Sequence, residues 1–174
     1  ELNLMVQNIL ETTRLNGEGK NIIKEKIKIA DFLSEIIVPY EMIAKAKKIH
    51  FSVNISSDDE IVTDKNLLRK AISNIIMNAV LYTETGKSVE LNYTQYMLEI
   101  VNEGEIIEGE NLKKIFEPFF RMESSHSREH GGSGLGLYIV HTILTILDIP
   151  YDFRKNHTNE SQMKFVIYFR NKIK

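Results

Sequence analysis

The chain has 174 residues, of which 43% are hydrophobic and 26% are charged, and its formal net charge is −2. This size fits one domain with a small appendage, and the near-neutral charge provides no overall field that would attract nucleic acid or an anionic membrane. Because the chain contains no cysteine, a disulfide framework and a thiolate metal site are excluded, and no apolar run approaches the roughly 18 residues that a membrane span requires.

The first predicted element is an amphipathic helix over residues 1–15. Its apolar residues recur at three- and four-residue intervals: Leu2, Met5, Val6, Ile9 and Leu10. A short helix with an exposed apolar stripe is marginal in water, so it needs to pack either on this domain or on a second helix outside this chain. Because the chain starts at Glu1 within this pattern, we expect it to be a piece of a longer protein.

Strands and helices then alternate along the chain. Residues 26–29 alternate like a short strand, and a helical pattern begins at Ala30 and continues past Pro39, which either bends that helix or marks an early first turn. Residues 49–55 alternate again and predict a strand with one buried side, formed by Ile49, Phe51, Val53 and Ile55. Residues 60–62 predict another short strand.

A long helix follows, with Thr63 and Asp64 as candidate caps and a broad apolar face. Asn74 and Asn78 are four residues apart, so they lie on one side of this helix, within about 6 Å of each other. One interpretation is that both amides are solvated or bond within their own helix, where Asn is otherwise unfavourable. The other is that their oxygens face a cavity, where Mg²⁺ accepts such ligands together with water and phosphate. Tyr82 faces the same way.

The second half of the chain predicts an antiparallel pair over residues 88–93 and 97–101, joined at a turn, and a closing pair over residues 151–153 and 164–170. Between the two pairs, Asn111 is a candidate cap for a short helix that ends at Ile115, and a second helix covers residues 137–147. Antiparallel strands with helices between them predict an α+β fold, with one sheet layered against helices.

Four glycines precede that second helix: Gly131, Gly132, Gly134 and Gly136. Glycine lets backbone N–H groups approach an anion closely, and the first turn of a helix adds free donors and the positive end of its dipole. A polyphosphate is the anion that this pattern fits, although such a stretch by itself is often only a tight connection.

These segments, in this order, resemble the catalytic, ATP-binding domain of bacterial sensor histidine kinases, in the GHKL ATPase superfamily. Residues 74–83 (NIIMNAVLYT) resemble its N box, 101–107 (VNEGEII) its first glycine box, 116–121 (FEPFFR) its F box and 131–137 (GGSGLGL) its second glycine box. The similarity covers roughly residues 26–170, and residues 1–15 resemble the end of the second helix of the dimerisation and phosphoacceptor domain.

The resemblance therefore implies two parts: residues 1–19, with the end of that helix and a linker, and residues 20–174, the catalytic domain. It also implies a two-layer sandwich in which a mixed, mostly antiparallel sheet packs against helices, the Bergerat-type ATP-binding fold.

The resemblance also assigns roles to residues at matching positions. Asn78 would be the Mg²⁺ ligand, with Asn74 as its neighbour near the phosphates. Arg121 would reach the γ-phosphate, and Arg128, in a lid over residues 122–131, would do so too. The other implied nucleotide contacts are Tyr82, Asn102, Gly104, Ile107, Phe116, Gly132, Gly134, Leu135, Gly136 and Leu137. Among these, Ile107 and Phe116 would line the adenine side of the cleft, and the glycines would let the backbone follow the triphosphate.

Three positions depart from the family's pattern. Asn102 stands where the family usually has the Asp that accepts from the adenine amino group; a neutral hydrogen bond contributes about 0.5–1.5 kcal/mol, against about 1.5–3 for one to a charged group. Ile106 replaces the second glycine of the first glycine box, and Leu81 stands where many members have a phosphate-contacting Lys. We therefore expect weaker ATP binding with a retained preference for adenine.

Position 74 discriminates between relatives. In ATPase branches of the superfamily the matching residue is typically a Glu that activates water, whereas an amide cannot accept that proton at neutral pH. The resemblance thus implies a protein-histidine kinase that binds Mg·ATP and transfers the γ-phosphate to a His on an absent domain. Two alternatives stay open: a degenerate regulatory module that binds nucleotide without phosphotransfer, and a free-standing ATPase or serine kinase of the superfamily.

The implied partners are the protein's own dimerisation and phosphoacceptor domain and a response regulator, without nucleic acid. Because dimer contacts in such kinases lie mainly in the missing helices, we expect this fragment to be a monomer and the full-length protein to be a homodimer. The implied location is the cytoplasmic part of a membrane-anchored sensor.

Overall fold

The computed structural model describes residues 22–122 and 133–169. Within these ranges the helices are α1 (Ile29–Ala46), α2 (Lys65–Leu81), α3 (Glu110–Lys114) and α4 (Gly136–Ile146), and the strands are β1 (Lys24–Lys28), β2 (His50–Ile55), β3 (Glu60–Asp64), β4 (Ser88–Thr94), β5 (Met97–Glu103), β6 (Tyr151–Lys155) and β7 (Gln162–Tyr168). The helix predicted over residues 1–15 lies outside the described residues, as does Arg170 at the predicted end of the last strand. None of the helices in the two described ranges has the length and apolar character to cross a membrane.

A five-stranded sheet in the order β2-β4-β5-β7-β6 forms the centre of the domain. Its β2–β4 pair is parallel, and the remaining neighbours are antiparallel. The sequence prediction of an α+β fold with a mixed, mostly antiparallel sheet is therefore confirmed, as are both antiparallel strand pairs. A separate two-stranded sheet, β1–β3, was not predicted, because pairing between short strands that are distant in sequence leaves no local signal.

The strand register aligns the apolar residues on one face of this sheet. Leu91 lies opposite Ile100, which lies opposite Phe165, and Tyr93, Leu98 and Ile167 form the next row. Directly opposed residues share a face, so these rows make a continuous apolar surface. That surface packs in one buried cluster with residues of α1, α2 and α4, among them Phe32, Leu33, Leu68, Ile72, Ile76, Ile139, Val140 and Ile143. The domain is thus the expected two-layer sandwich.

The strand predicted over residues 49–55 differs from its prediction. Ile49 is buried, but it precedes β2, and Val53 is 38% exposed. Phe51 and Ile55 are partly buried against the core, so the predicted buried side is present except at Val53, which is exposed because β2 is the edge strand of the sheet.

Two predictions about helix ends are also resolved. Gly109, with a φ of 62°, precedes α3, and Asn111 lies inside the first turn, so the assignment of Asn111 as its cap is wrong. The positive φ of Gly109 turns the chain into the helix, and a glycine adopts it without steric cost. Pro39 lies within α1, so it does not mark a first turn.

Candidate functional site

Helix α2 positions the two amides singled out in the sequence. Asp64 caps its first turn, where the carboxylate accepts hydrogen bonds from the backbone N–H groups of Asn66 (3.1 Å) and Leu67 (3.0 Å). The predicted cap is therefore confirmed. The buried face of the helix holds Leu68, Ala71, Ile72, Ile75, Ile76, Ala79 and Val80. Packing of this face fixes the rotation of α2 and leaves Asn74 and Asn78 half-buried at its border.

The amides of Asn74 and Asn78 lie against the start of α4. A Cβ atom placed on Gly136, the first residue of α4, would lie 3.4 Å from both Asn78 amide atoms, Nδ2 and Oδ1, and 3.5 Å from Asn74 Oδ1. The N box and the second glycine box are therefore in direct contact. Only a residue without a side chain leaves this space open beside the two amides.

The two asparagines have different hydrogen bonds. The Asn74 Nδ2 donates to the Lys70 carbonyl at 2.9 Å. This is the bond within its own helix that the first interpretation of the sequence predicts. This bond fixes the amide and leaves Oδ1 directed towards Gly136. The Asn78 amide makes no hydrogen bond with any residue in the described ranges. It is a half-buried polar group with both its donors and its acceptor available.

The first turn of α4 adds main-chain donors beside these amides. Leu135 precedes the helix and its side chain is buried, and among the residues that the structure describes no side chain caps this end. The first intrahelical bond runs from the Ile139 N–H to the Leu135 carbonyl at 2.9 Å. The N–H groups of Gly136 and Leu137 lie before it in the first turn, where a helix leaves main-chain donors without intrahelical partners, so this end is suited to an anion.

Gly134 connects this end to the F box. It has a φ of +70°, and a Cβ there would lie 2.7 Å from the Phe119 carbonyl carbon and 2.9 Å from the Phe120 oxygen. The Phe119 N–H donates to the Gly134 carbonyl at 3.0 Å. Because the left-handed conformation and the close backbone approach both require a glycine, Gly134 holds residues 119–121 across the glycine-rich turn.

Arg121 directly follows Phe120 in the chain, and its predicted contact with the γ-phosphate stays a prediction. Arg121 is exposed. Arg128 and Gly132 lie outside the described residues, as does the predicted lid except for Met122, so their predicted roles stay predictions.

The first glycine box lies against the C-terminal end of α2. Tyr82 follows this helix, and a Cβ on Gly104 would lie 2.6 Å from the Tyr82 carbonyl oxygen and 3.1 Å from the Asn102 Nδ2. Gly104 also forms a β-bridge with Thr83. Asn102 lies in one row with Val89 and Met163, so it belongs to the face of the sheet that meets the helices. The structure therefore places Tyr82, Asn102 and Gly104 together, about one helical turn beyond Asn78.

The predicted contact of Phe116 and Ile107 with adenine has less direct support in the structure. The Phe116 ring lies 5.6 Å from Tyr151, 6.0 Å from His141 and 6.4 Å from Phe153, measured between ring centroids. It therefore packs on α4 and β6 at the edge of the core. Ile107 is half-buried in the segment after β5. Their predicted contact with adenine stays a prediction.

At this site, the candidate oxygen ligands for a metal ion are amide groups and not clustered carboxylates. Among residues 22–122 and 133–169, no group of three or more His, Cys, Asp or Glu side chains is placed to hold an ion. The Asn78 amide, with its unbonded Oδ1, fits a hard cation such as Mg²⁺ that keeps waters and phosphate oxygens as its other ligands. The site accordingly fits Mg²⁺ only together with a phosphate-bearing ligand.

One residue beside the site, Lys47, has no distinguishing signal in the sequence. Lys47 Nζ donates to the carbonyls of Val80 and Leu81, each at 2.8 Å, at the end of α2. Burial lowers the pKa of this lysine. Lys47 follows Lys45 and precedes Lys48 in the sequence, so it reads as part of a solvated turn, and no local pattern distinguishes it.

Comparison with known proteins gives consistent results. A family model described as histidine kinase-, DNA gyrase B-, and HSP90-like ATPase matches residues 63–172. The sensor protein VanSB of Enterococcus faecalis is 33% identical over 150 residues, which cover 84% of this chain and 34% of the relative. The chain thus spans about a third of the length of this curated relative.

Solved structures share the fold. Full-length ShkA in complex with AMPPNP superimposes with a TM-score of 0.78 at 21% identity, over 95% of this chain and 35% of that one. The histidine kinase ThkA in complex with the response regulator protein TrrA gives a TM-score of 0.73 at 20% identity, over 97% of this chain and 46% of that one. At these identities the likeness concerns the arrangement of strands and helices.

Proposed function

This chain belongs to the family of histidine kinase-, DNA gyrase B- and HSP90-like ATPases, and its relatives are sensor histidine kinases; on that premise we propose that it binds Mg·ATP and transfers the γ-phosphate to a histidine. The acceptor histidine would lie on a dimerisation domain that is not part of this chain.

The observation that carries the proposal is the contact of the N box with the second glycine box. The Asn78 and Asn74 amides lie beside Gly136, where a Cβ would be 3.4 Å and 3.5 Å from their atoms. A ligand that bound there would meet amide oxygens from α2 and the main-chain N–H groups of Gly136 and Leu137 from α4 at once. A triphosphate with Mg²⁺ matches both, because phosphate oxygens accept from N–H groups and the cation accepts amide oxygen.

Phosphoryl transfer needs positioning and neutralisation of charge more than covalent chemistry by the protein. Bound Mg²⁺ would supply most of the charge neutralisation, with Asn78 Oδ1 as its protein ligand. The N–H groups at the start of α4 would hold phosphate oxygens, and Arg121 would approach the γ-phosphate, with Arg128 as a second proposed cation. Gly134 would keep residues 119–121 in the position that this requires.

The properties of Asn74 favour transfer over hydrolysis. Its Nδ2 is held by the Lys70 carbonyl at 2.9 Å, so the amide is fixed, and an amide oxygen is too weak a base to take a proton from water. We therefore expect ATP bound here to be attacked by an external nucleophile and to be hydrolysed only slowly.

The proposed partners follow from the same relatives. The ThkA structure holds a response regulator protein beside a kinase of the same fold, which supports a response regulator as the downstream partner of this chain. We propose further that the complete protein is a homodimeric, membrane-anchored sensor with this domain in the cytoplasm, and that the fragment alone is a monomer.

A second candidate function is favoured by two features of the first glycine box. The Asn102 amide is neutral and makes no hydrogen bond with the described residues, and Ile106 stands in the first glycine box. Both features weaken nucleotide binding relative to the family's pattern. They favour a regulatory module that binds nucleotide without transferring phosphate.

One experiment separates these candidates. The chain is incubated with Mg²⁺, ATP labelled at the γ-phosphate and a separately produced phosphoacceptor domain, and nucleotide binding is measured in parallel by calorimetry. The kinase predicts acid-labile, base-stable label on the acceptor histidine, and loss of this label in Asn78→Ala. Nucleotide binding without label supports the regulatory module, and absence of any binding contradicts both functions.

A further inference from the structure

The end of α2 nearest the nucleotide site is capped by the side chain of Lys47, the residue that follows α1. The last carbonyls of a helix lack intrahelical partners, and Tyr82, with a φ of −91°, does not make the left-handed turn that usually satisfies them. Instead Lys47 Nζ lies 2.8 Å from the Val80 oxygen, 2.8 Å from the Leu81 oxygen and 3.4 Å from the Thr83 oxygen. The three protons of one ammonium group thus match three carbonyls.

The position of this ammonium also suits its charge. The carbonyl end of a helix carries a partial negative charge, so a cation there stabilises the helix by about 0.3–1 kcal/mol at exposed sites and more where it is partly buried. Helix α2 has no basic residue of its own in its last turn. Lys47, half-buried directly after α1, supplies the missing cation.

The main chain of the same turn holds the residues that follow α2. The Thr85 hydroxyl donates to the Lys47 carbonyl at 3.1 Å, and the Gly86 N–H donates to the Lys48 carbonyl at 2.9 Å. Together with the Lys47 ammonium, these bonds fix residues 80–86, which comprise the end of α2 and most of the connection to β4. We call this set of contacts the Lys47 clamp.

The clamped segment is the one that shapes the first glycine box. The Tyr82 carbonyl lies so close to Gly104 that a Cβ there would be only 2.6 Å from it, and Thr83 pairs with Gly104 in a β-bridge. The Asn102 amide lies beside the same glycine. A shift of residues 82–83 therefore shifts Gly104 and changes the surroundings of Asn102, while Asn78 lies one turn back on the same helix.

We propose that Lys47 is a positioning residue for nucleotide binding: by holding the carbonyl end of α2 it sets Tyr82 and Thr83 against Gly104 and so fixes one wall of the site. The Lys47 ammonium bonds to the main-chain carbonyls of Val80, Leu81 and Thr83, and in this proposal it acts through them without touching the nucleotide. This role rests on the proposed binding of ATP at the site.

The test compares Lys47→Met with the matched substitution Lys164→Met. Methionine keeps the length of the lysine stem and removes its donors. Lys164 is a half-buried lysine whose Nζ lies 3.0 Å from Glu99 Oε1, on the face of the sheet opposite the helices, so its loss weakens the fold away from the site. Lys47→Arg, which keeps the charge and several donors, serves as the conservative variant.

Three quantities are measured for each variant: the ATP dissociation constant, the free energy of unfolding, and amide hydrogen exchange at Gly104. We expect Lys47→Met to weaken ATP binding by about tenfold and to speed exchange at Gly104, with Lys47→Arg restoring most of the affinity. Lys164→Met should lower stability while leaving both site measurements within about twofold of the wild type. Should Lys47→Met fail to fold, Thr85→Val removes one bond of the clamp and should weaken binding by about threefold.

The outcomes separate the two proposals. If the wild type binds ATP and Lys47→Met, or Thr85→Val in its place, binds it equally well, the positioning role is wrong and the proposed function stands. If Lys164→Met weakens binding as much as Lys47→Met, the effect is one of general stability and the positioning role is again wrong. If the wild type binds no ATP, the proposed function fails and the role of Lys47 fails with it.

Discussion

The side chain of Asn78 lies opposite Gly136 across the packed helices α2 and α4: a methyl group on Gly136 would lie 3.4 Å from both atoms of the Asn78 amide. This distance is that of ordinary van der Waals contact, so the fold has room for the methyl group. A ligand bound between the amide and the helix end would collide with that methyl group. Gly136 and its neighbour Gly134 therefore differ in the reason for which they are glycine.

Gly136→Ala should separate ligand binding from folding. We expect the free energy of unfolding to stay within about 0.5 kcal/mol of the wild type, since alanine is favoured over glycine in helices. Binding of Mg·ATP should weaken by about tenfold or more, because the methyl group occupies space beside the Asn78 amide. Denaturant unfolding and calorimetric titration measure the two effects.

Gly134→Ala is the matched control, and in contrast to Gly136→Ala we expect it to lower the free energy of unfolding. A left-handed φ of +70° and a Cβ placed 2.7 Å from the Phe119 carbonyl carbon should destabilise the fold by about 1–3 kcal/mol. An alanine at position 134 that leaves stability unchanged would contradict the account of the F-box contact.

Asn78→Ala should remove the contribution of Mg²⁺ to nucleotide affinity. In the wild type we expect ATP to bind more tightly with Mg²⁺ than with excess chelator, by about tenfold or more, because Asn78 Oδ1 is the proposed protein ligand. In the variant the two titrations should give similar dissociation constants. Asn92→Ala, at a half-buried asparagine of β4, is the control. If the variant keeps the full Mg²⁺ effect, the ion is held elsewhere.

Asn102→Asp should strengthen ATP binding. A carboxylate accepts a stronger hydrogen bond from the adenine amino group than an amide does, and the difference of about 1 kcal/mol corresponds to roughly fivefold in affinity. GTP, which carries an oxygen where adenine has the amino group, should bind more weakly than ATP to both proteins. Calorimetry that finds equal ATP affinity for the two would place the adenine away from residue 102.

Asp59 predicts a pH dependence of stability that is independent of the nucleotide site. Its Oδ2 accepts hydrogen bonds from the Ser57 hydroxyl (2.7 Å), the Tyr93 hydroxyl (2.8 Å) and the Tyr96 N–H (3.1 Å). Burial by itself raises the pKa of this carboxyl, but the three bonds to the ionised form outweigh it, and the pKa lies below its ordinary value. Burial and the nearby Asp59 also raise the pKa of Tyr93.

The sign of the effect follows from this direction. Because the folded-state pKa of Asp59 lies below the unfolded-state value, its contribution to stability is present above the unfolded pKa and is lost as the pH falls through the folded pKa. Asp59→Asn should therefore cost about 1 kcal/mol at pH 7 and should make the loss of stability in acid less steep. Urea unfolding between about pH 7 and pH 3 measures this. Asp58→Asn, at the exposed neighbour, should follow the wild type, and identical pH profiles for wild type and Asp59→Asn would contradict the prediction.

Much of the fold could be predicted because the spacing of apolar residues indicates which face of each helix or strand is buried. The apolar spacing from Leu68 to Val80 and the capping carboxylate at Asp64 predicted α2, and alternation predicted the β4–β5 hairpin. The prediction for Val53 was wrong, because alternation does not tell an edge strand from a central one. The prediction that Asn111 caps α3 was wrong, because Gly109, with a positive φ, occupies the cap position and a glycine has no side chain that would mark it as a cap.

The sequence by itself determined the family, through the order of four short boxes, and the types of residue that a phosphate and magnesium site needs. The tertiary structure alone decided that Gly136 lies against Asn78, that Asn102 faces the helices and that Lys47 caps a helix to which it does not belong. These contacts join residues that are more than 30 positions apart, so they depend on strand register and on the packing of α1, α2 and α4. The spacing of apolar residues shows which face of a helix or strand packs on the core. It does not show which distant residues that face will contact.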